Sequence, residues 1–118
     1  MTTFDFGDGR GLVPAHKHKN GGGWVADTAF VADTAYVGKN ARVYGYARIL
    51  DCAEIFGYAN VSGCARVSDF AQVSGNAWVF GNAQVFGKST VCDNAQVFGI
   101  ALVSGIAWVG GITKISSE

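Results

Sequence analysis

The residues predict an all-β chain made of many very short strands, and three observations carry that prediction. A β-branched residue, Val or Ile, recurs every six positions from Val25 to Ile115 without a miss. A small residue stands two positions before it. It is Ala at thirteen of the fifteen such places from 29 to 113, with Ser89 and Thr113 as the exceptions. Gly or Asp usually stands two positions after it, often followed by Asn, so the unit reads AQVSGN or AWVFGN. Residues at i and i+2 of a strand point to the same side, so Ala and Val share one face. Gly, Asp and Asn tolerate left-handed backbone or bond it locally, so the next pair makes a tight turn. Each unit is therefore one side wall and one corner. A helix needs apolar spacings of three and four, which a strict spacing of six does not supply.

In chain order, residues 1–23 precede the repeat and are expected to form an N-terminal arm or loop, and residues 24–118 are the repeat itself. The opening MTTFDFGDGRG has no basic stretch followed by an apolar run, so it does not read as a signal peptide. The whole chain has 118 residues, enough for one domain with a modest core. Hydrophobic types reach 49% against 15% charged, which excludes bulk disorder. The formal net charge is zero, which argues against nucleic acid as a partner. Residues 95–113 carry no charge, but Gln96, Gly99, Ser104 and Gly105 interrupt the run and the six-residue period continues through it, so no membrane span is expected. Cys52, Cys64 and Cys92 match no zinc or redox spacing and read as free thiols of a cytosolic protein.

On this unbroken period the chain resembles the hexapeptide-repeat, left-handed parallel β-helix superfamily. Its signature is an aliphatic residue with Ser, Thr, Ala or Val four positions on, which the chain keeps from residue 25 to its end. The resemblance implies a triangular coil of three walls, about 18 residues per coil, wound left-handed against the usual crossover rule. The repeat then makes about five coils, stacked at about 4.8 Å each into a prism roughly 25 Å long. The stretch GGGWVADTAFVADTAYVG also resembles small hexapeptide proteins encoded by phages and bacteria. That likeness implies a phage protein in the cytoplasm of a host cell, or a component of the virion.

Outward positions 18 apart should stack. One wall presents Tyr44, Ser62, Phe80 and Phe98 beside Trp24, Arg42, Asn60, Trp78 and Gln96. A second presents Leu50, Ser68, Phe86 and Ser104 beside Phe30, Arg48, Arg66, Gln84 and Leu102. The third presents Phe56, Ser74 and Cys92 beside Tyr36, Glu54, Gln72, Thr90 and Trp108. A solvated prism needs few outward aromatics, and such patches mark protein contacts. Superfamily members commonly trimerise through their walls, so the resemblance implies a homotrimer. The expected interface is Trp24, Tyr44, Trp78, Phe80, Phe86 and Phe98, with Ile100, Ile106 and Ile112 at the corners of one late coil. The plainer readings are a wall covered by the first 20 residues, and an isoleucine ring that protects the open edge of the stack.

Candidate chemistry is sparse. Acyltransferases of the superfamily use a His as general base, and the related γ-class carbonic anhydrases hold zinc with three. Here the histidines are His16 and His18, both ahead of the repeat. As a His-x-His pair they are a candidate metal site if three subunits pool their ligands, or a base reaching a neighbour's cleft, set against solvated residues of an arm. Arg48 and Arg66 should stack, with Arg42 a wall away, and are candidate ligands for an anion such as a phosphate. The competing expectation is ion pairing with Asp51 and Asp69 at the next corner. Asp33, Asp51 and Asp69 should form a ladder that either binds a cation or only suits the turn. No catalytic residue is assigned and no cofactor is implied. The expected function is a non-enzymatic oligomeric binding or scaffold protein, acting on a host protein or a small anionic ligand. A phage structural component and a minimal acyltransferase with its site between subunits are the alternatives.

Overall fold

In the computed structural model, which describes residues 2–117, the chain is a three-sided parallel β-solenoid of about five turns, left-handed-β-helix-like in form. Residues 1 and 118, the outer limits of the two expected segments, lie outside the described residues. The strands are β1 (Thr3–Asp5), β2 (Leu12–Lys17), β3 (Trp24–Ala26), β4 (Phe30–Val31), β5 (Tyr36–Val37) and β6 (Arg42–Val43). They continue as β7 (Arg48–Ile49), β8 (Glu54–Ile55), β9 (Asn60–Val61), β10 (Arg66–Val67), β11 (Gln72–Val73) and β12 (Trp78–Val79). The last are β13 (Gln84–Val85), β14 (Thr90–Val91), β15 (Gln96–Gly99), β16 (Leu102–Val103), β17 (Trp108–Val109) and β18 (Lys114–Ser117).

Successive strands never pair within the repeat; each pairs with the strand three further on. The result is one sheet in the order β3-β6-β9-β12-β15-β18, a second β4-β7-β10-β13-β16, and a third β5-β8-β11-β14-β17. The register is 18 residues throughout, as in Trp24 opposite Arg42 and Val67 opposite Val85. Backbone N–H groups donate onward to the next coil, Arg48 to the Ala65 carbonyl at 2.9 Å and Leu50 to that of Val67 at 2.9 Å. The expected stacking of wall positions is therefore met.

The interior follows from the alternation. Val43, Ile49, Ile55 and Val61 are fully buried, as are Ala41, Ala47, Ala53 and Ala59, in one continuous core. Ser89 interrupts the alanine series without leaving a buried hydroxyl unpaired, because its Oγ donates to the Phe86 carbonyl at 2.7 Å.

The corners show why the repeat needs Gly or Asp. The first residue of each later corner has positive φ, 64° at Gly63, and a Cβ there would stand 2.8 Å from the Gly81 nitrogen. Asp51, Asp69 and Asp93 take the same conformation at φ of 58–59°. Each carboxylate reaches the next coil: Asp51 accepts from the Asp69 amide at 3.2 Å, Asp69 from Gly87 at 2.9 Å, and Asp93 from Gly111 at 3.0 Å. A side-chain acceptor at the corner thus satisfies a backbone donor that a glycine corner leaves to water. These bonds are the turn chemistry of the aspartates. Ion pairs of Asp51 and Asp69 with Arg48 and Arg66 are absent among the described residues.

The first 23 residues differ from the expected arm or loop. β1 and β2 form an antiparallel hairpin, and β2 pairs antiparallel with β3, so the first sheet gains two strands. The physical reason lies in period-two alternation on both sides of the Gly-rich GDGRG turn, which is a hairpin signal. Residues 18–23 then close the edge of β5. Gly23 donates to the Val37 carbonyl at 2.9 Å, Val37 donates to the Asn20 carbonyl at 3.0 Å, and the Ala35 carbonyl accepts from His18 Nε2 and from Asn20 Nδ2.

Asp69→Ala is expected to destabilise the fold by about 1–2 kcal/mol, from a left-handed backbone on a Cβ residue and a lost charged acceptor. Asp69→Gly should lose less, because only the acceptor goes. Urea melts of the two variants check this; equal losses would mean that the conformation contributes nothing.

Candidate functional site

The hairpin carries Phe4 and Phe6 two residues apart, so both rings face the first wall. Phe4 stacks on Trp24 with centroids 4.7 Å apart, and Phe6 stacks on Tyr44 at 5.0 Å. The two phenylalanines meet edge to face at 4.8 Å. Two cations complete the pile. The Arg42 guanidinium lies 5.2 Å from the Phe4 centroid and the Lys17 ammonium 5.5 Å from that of Trp24. Each is a favourable cation–π geometry. Ring stacking and burial of Phe6 and Tyr44 therefore tie the hairpin to the first two coils.

Two hollows flank this cluster. One, of about 160 Å³, is lined by Phe6, Val13, Pro14, Ala26, Thr28, Tyr44 and the charged Asp8, Arg10 and Asp27. Its charges are already engaged: Arg10 lies 3.9 Å from Asp8, and Asp27 lies 2.7 Å from His16 Nδ1. The other, of about 250 Å³, is lined by Phe4, Trp24, Lys39, Asn40, Ala41, Arg42 and Tyr58. It holds two cations and no carboxylate, and no ion pair to Lys39 or Arg42 occurs among the described residues. Lys39 occupies a corner place where the repeat elsewhere puts Gly or Asp. Tyr58 stands at the corner above and is 63% exposed. This cleft is the candidate site: its lining combines two cations, the aromatic side chains of Phe4, Trp24 and Tyr58, and Asn40.

The structure sorts the residues singled out from sequence. Arg48 and Arg66 are directly opposed and exposed on the second sheet. Arg42 lies apart from them, under the hairpin with Lys39. His16 and His18 do not share a partner: His16 is exposed and bound to Asp27, and His18 is buried on the Ala35 carbonyl. A carbonyl only accepts, so His18 is protonated at Nε2. No group of three or more metal-ligating side chains occurs among the described residues.

Of the expected interface residues, Tyr44 is covered by the chain's own hairpin and Trp24 is half-buried beneath it, so the plainer reading holds for that part of the wall. Phe80 and Phe98 stack on each other at 5.1 Å further along the same wall, beside Trp78, and Phe86 is half-buried on the second. Ile100, Ile106 and Ile112 are all exposed. The Cys92 thiol is pushed up by burial and by the neighbouring Asp93 carboxylate, which disfavours the nucleophilic thiolate. No helix among the described residues is long and apolar enough to cross a membrane.

Sequence reasoning missed Lys39, Tyr58 and Phe4. The available signals were the break in the corner rule at Lys39 and the paired phenylalanines of TFDF ahead of the repeat. No family model, no curated protein and no solved structure matches the chain.

The Tyr44 hydroxyl is held above its ordinary value of about 10, first by burial and then by the Asp8 carboxylate, while a hydrogen bond with Ser62 and the Arg42 charge oppose the shift. The folded value exceeds the unfolded one, so this stabilisation is complete below about pH 10 and is lost as pH rises through the folded value. Wild-type protein should therefore lose stability in the window above about pH 10, and Tyr44→Phe should lose less. Guanidinium melts across that window test it; equal alkaline losses would rule out Tyr44 as the source.

Proposed function

We propose that this chain is a non-enzymatic binding protein of the hexapeptide-repeat, left-handed β-helix superfamily, and that it holds a small anionic ligand in the cleft beside the hairpin. The observation that carries the reading is the pair Lys39 and Arg42 lining one cleft without a carboxylate. Two uncompensated cations in a concave, partly apolar site attract an anion more strongly than either does on open surface. Arg42 is already oriented by the Phe4 face, so less side-chain entropy is lost when it binds. The volume suits a phosphate or carboxylate bearing one ring better than a larger ligand. Such a ring would lie against exposed Tyr58, because Phe4 and Trp24 already have stacking partners.

The engagement of both histidines supports the non-enzymatic reading. His18 is committed to a backbone carbonyl. His16 has an Asp27 partner, but it is not among the residues that line the cationic cleft. The rigid solenoid behind the cleft supports a scaffold that positions groups without moving them.

Titration with phenyl phosphate and with inorganic phosphate tests the proposal, read by calorimetry and by Trp24 amide shifts. Both should bind, phenyl phosphate more tightly, and affinity should fall with salt. Arg42→Gln and Lys39→Gln should each weaken binding by about tenfold or more, the loss expected for one charge-assisted contact. Equal binding by wild type and both variants would sink the reading.

A further inference from the structure

A third hollow lies on later coils, away from the hairpin. It has a volume of about 430 Å³ and is lined by Phe70, Gln72, Lys88 and Thr90. The 18-residue register explains why these four meet. Phe70 and Lys88 are second residues of the same corner in successive coils, and the Phe70 amide donates to the Gly87 carbonyl at 2.9 Å. Gln72 and Thr90 are directly opposed, at outward positions of the third sheet. The lining is thus a two-by-two set, one pair on a corner and one on the adjoining wall. Along the stack its members are one strand separation apart, about 4.8 Å.

The fold itself does not use these groups. Phe70 is 60% exposed, at a corner that carries Thr34 and Cys52 in the two coils before. Lys88 is exposed and has no ion pair among the described residues. The Asp69 carboxylate, beside Phe70, is taken by the Gly87 amide at 2.9 Å. Thr28 and Thr34 spend their hydroxyls on the backbone of the next coil. Among the described residues the Thr90 hydroxyl and the Gln72 amide make no side-chain hydrogen bond. The hollow therefore gathers a bare ring, an unpaired cation and two neutral groups that can each donate and accept.

We propose that this hollow binds a sugar acid, a pyranose ring that carries one carboxylate. A pyranose has an apolar CH face, and exposed Phe70 offers a flat apolar surface to it. Its hydroxyls need neutral partners that donate and accept, and Gln72 and Thr90 supply them. The single ammonium of Lys88 matches a single negative charge. Glu54 stands opposite Gln72 one coil back, so an anion placed on that side is repelled. The ligand carboxylate consequently lies toward Lys88 and Thr90, with the hydroxyls toward Gln72. A doubly charged phosphate is better served by the two cations of the cleft beside the hairpin. The two sites share no residue, so this inference does not rest on that cleft.

Titration of the 118-residue chain with glucuronate, glucose and acetate, read by amide shifts in nuclear magnetic resonance, separates ring from charge. Glucuronate should shift the Phe70, Gln72, Lys88 and Thr90 amides saturably. Glucose lacks the carboxylate and acetate lacks the ring, so each should bind about tenfold more weakly or worse. Lys88→Gln should reduce glucuronate to the level of glucose, and Lys88→Arg should retain it. Phe70→Ser should lower affinity severalfold, and Phe70→Tyr should keep it. These changes fall on exposed side chains, so circular dichroism should match wild type. Lys39→Gln should leave glucuronate binding at these amides unchanged. The proposal is overturned by absence of saturable shifts, or by acetate or glucose binding as well as glucuronate. It is equally overturned by binding that survives Lys88→Gln or Phe70→Ser, by a loss that Lys88→Arg shares, or by a loss in Lys39→Gln. None of these results would count against phosphate binding beside the hairpin.

Discussion

The interaction on which everything else depends is the backbone bond from one coil to the next. A strand of two residues has almost no stability of its own, and within the repeat no strand pairs with its sequence neighbour. Each coil becomes ordered only because the next offers carbonyls at the same height along three walls. That requirement fixes an 18-residue register and makes the interior a column in which a given place is refilled five or six times. The column tolerates only side chains that fit above and below their own kind. Small Ala and β-branched Val or Ile meet this condition, the latter because a stiff χ1 suits a pleated, crowded face. At the corners the same stacking brings backbone against backbone, so a Cβ is admitted only where it points a useful acceptor at the next coil, as in Asp51, Asp69 and Asp93.

A structure held in this way is uniform along its length and must differ at its ends. The N-terminal end is completed by chain that does not follow the repeat. The hairpin extends one sheet, and His18, Asn20 and Gly23 replace the missing coil on another. Burial of His18 follows from that task, since its ring donates where a backbone amide would otherwise have donated. Lys39 and Arg42, the cations of the proposed site, line a cleft at the same end. Inside the repeat, identity is dictated by packing, so residues free to differ are those of the hairpin, the first coil and the outward faces. Lys39 and Arg42 lie where all three meet.

The cationic cleft also shows how a wall can acquire a hollow without an inserted loop. Phe4 fills the space over Trp24 and at the same time supplies a face for Arg42. The guanidinium is thereby held toward the cleft by a neutral surface and keeps its charge uncompensated. Had a carboxylate oriented it, the charge would have been consumed within the protein. Arg48 and Arg66 are opposed across adjacent coils at outward wall positions, and both are exposed.

The sequence by itself determined the inside of the molecule. The period of six identified the walls, the Ala and Val places identified the core, and Gly or Asp identified the corners, because in a stacked fold each of these is dictated by contact with its own copy. The positions that stack, including Arg48 on Arg66, could be read by counting. Only the tertiary structure decided what the first 23 residues do, since a hairpin's strand pattern does not say which wall it covers; that Tyr44 is buried while Tyr58 is exposed depends on where Phe6 lands. It also decided the destination of the aspartate carboxylates, which turn along the stack to backbone amides and not sideways to arginines, because a left-handed corner aims its Cβ at the next coil. And it separated Arg42 from Arg48 and Arg66 and joined it to Lys39, because contacts across a wall's edge depend on the three-dimensional course of the hairpin and not on a repeat.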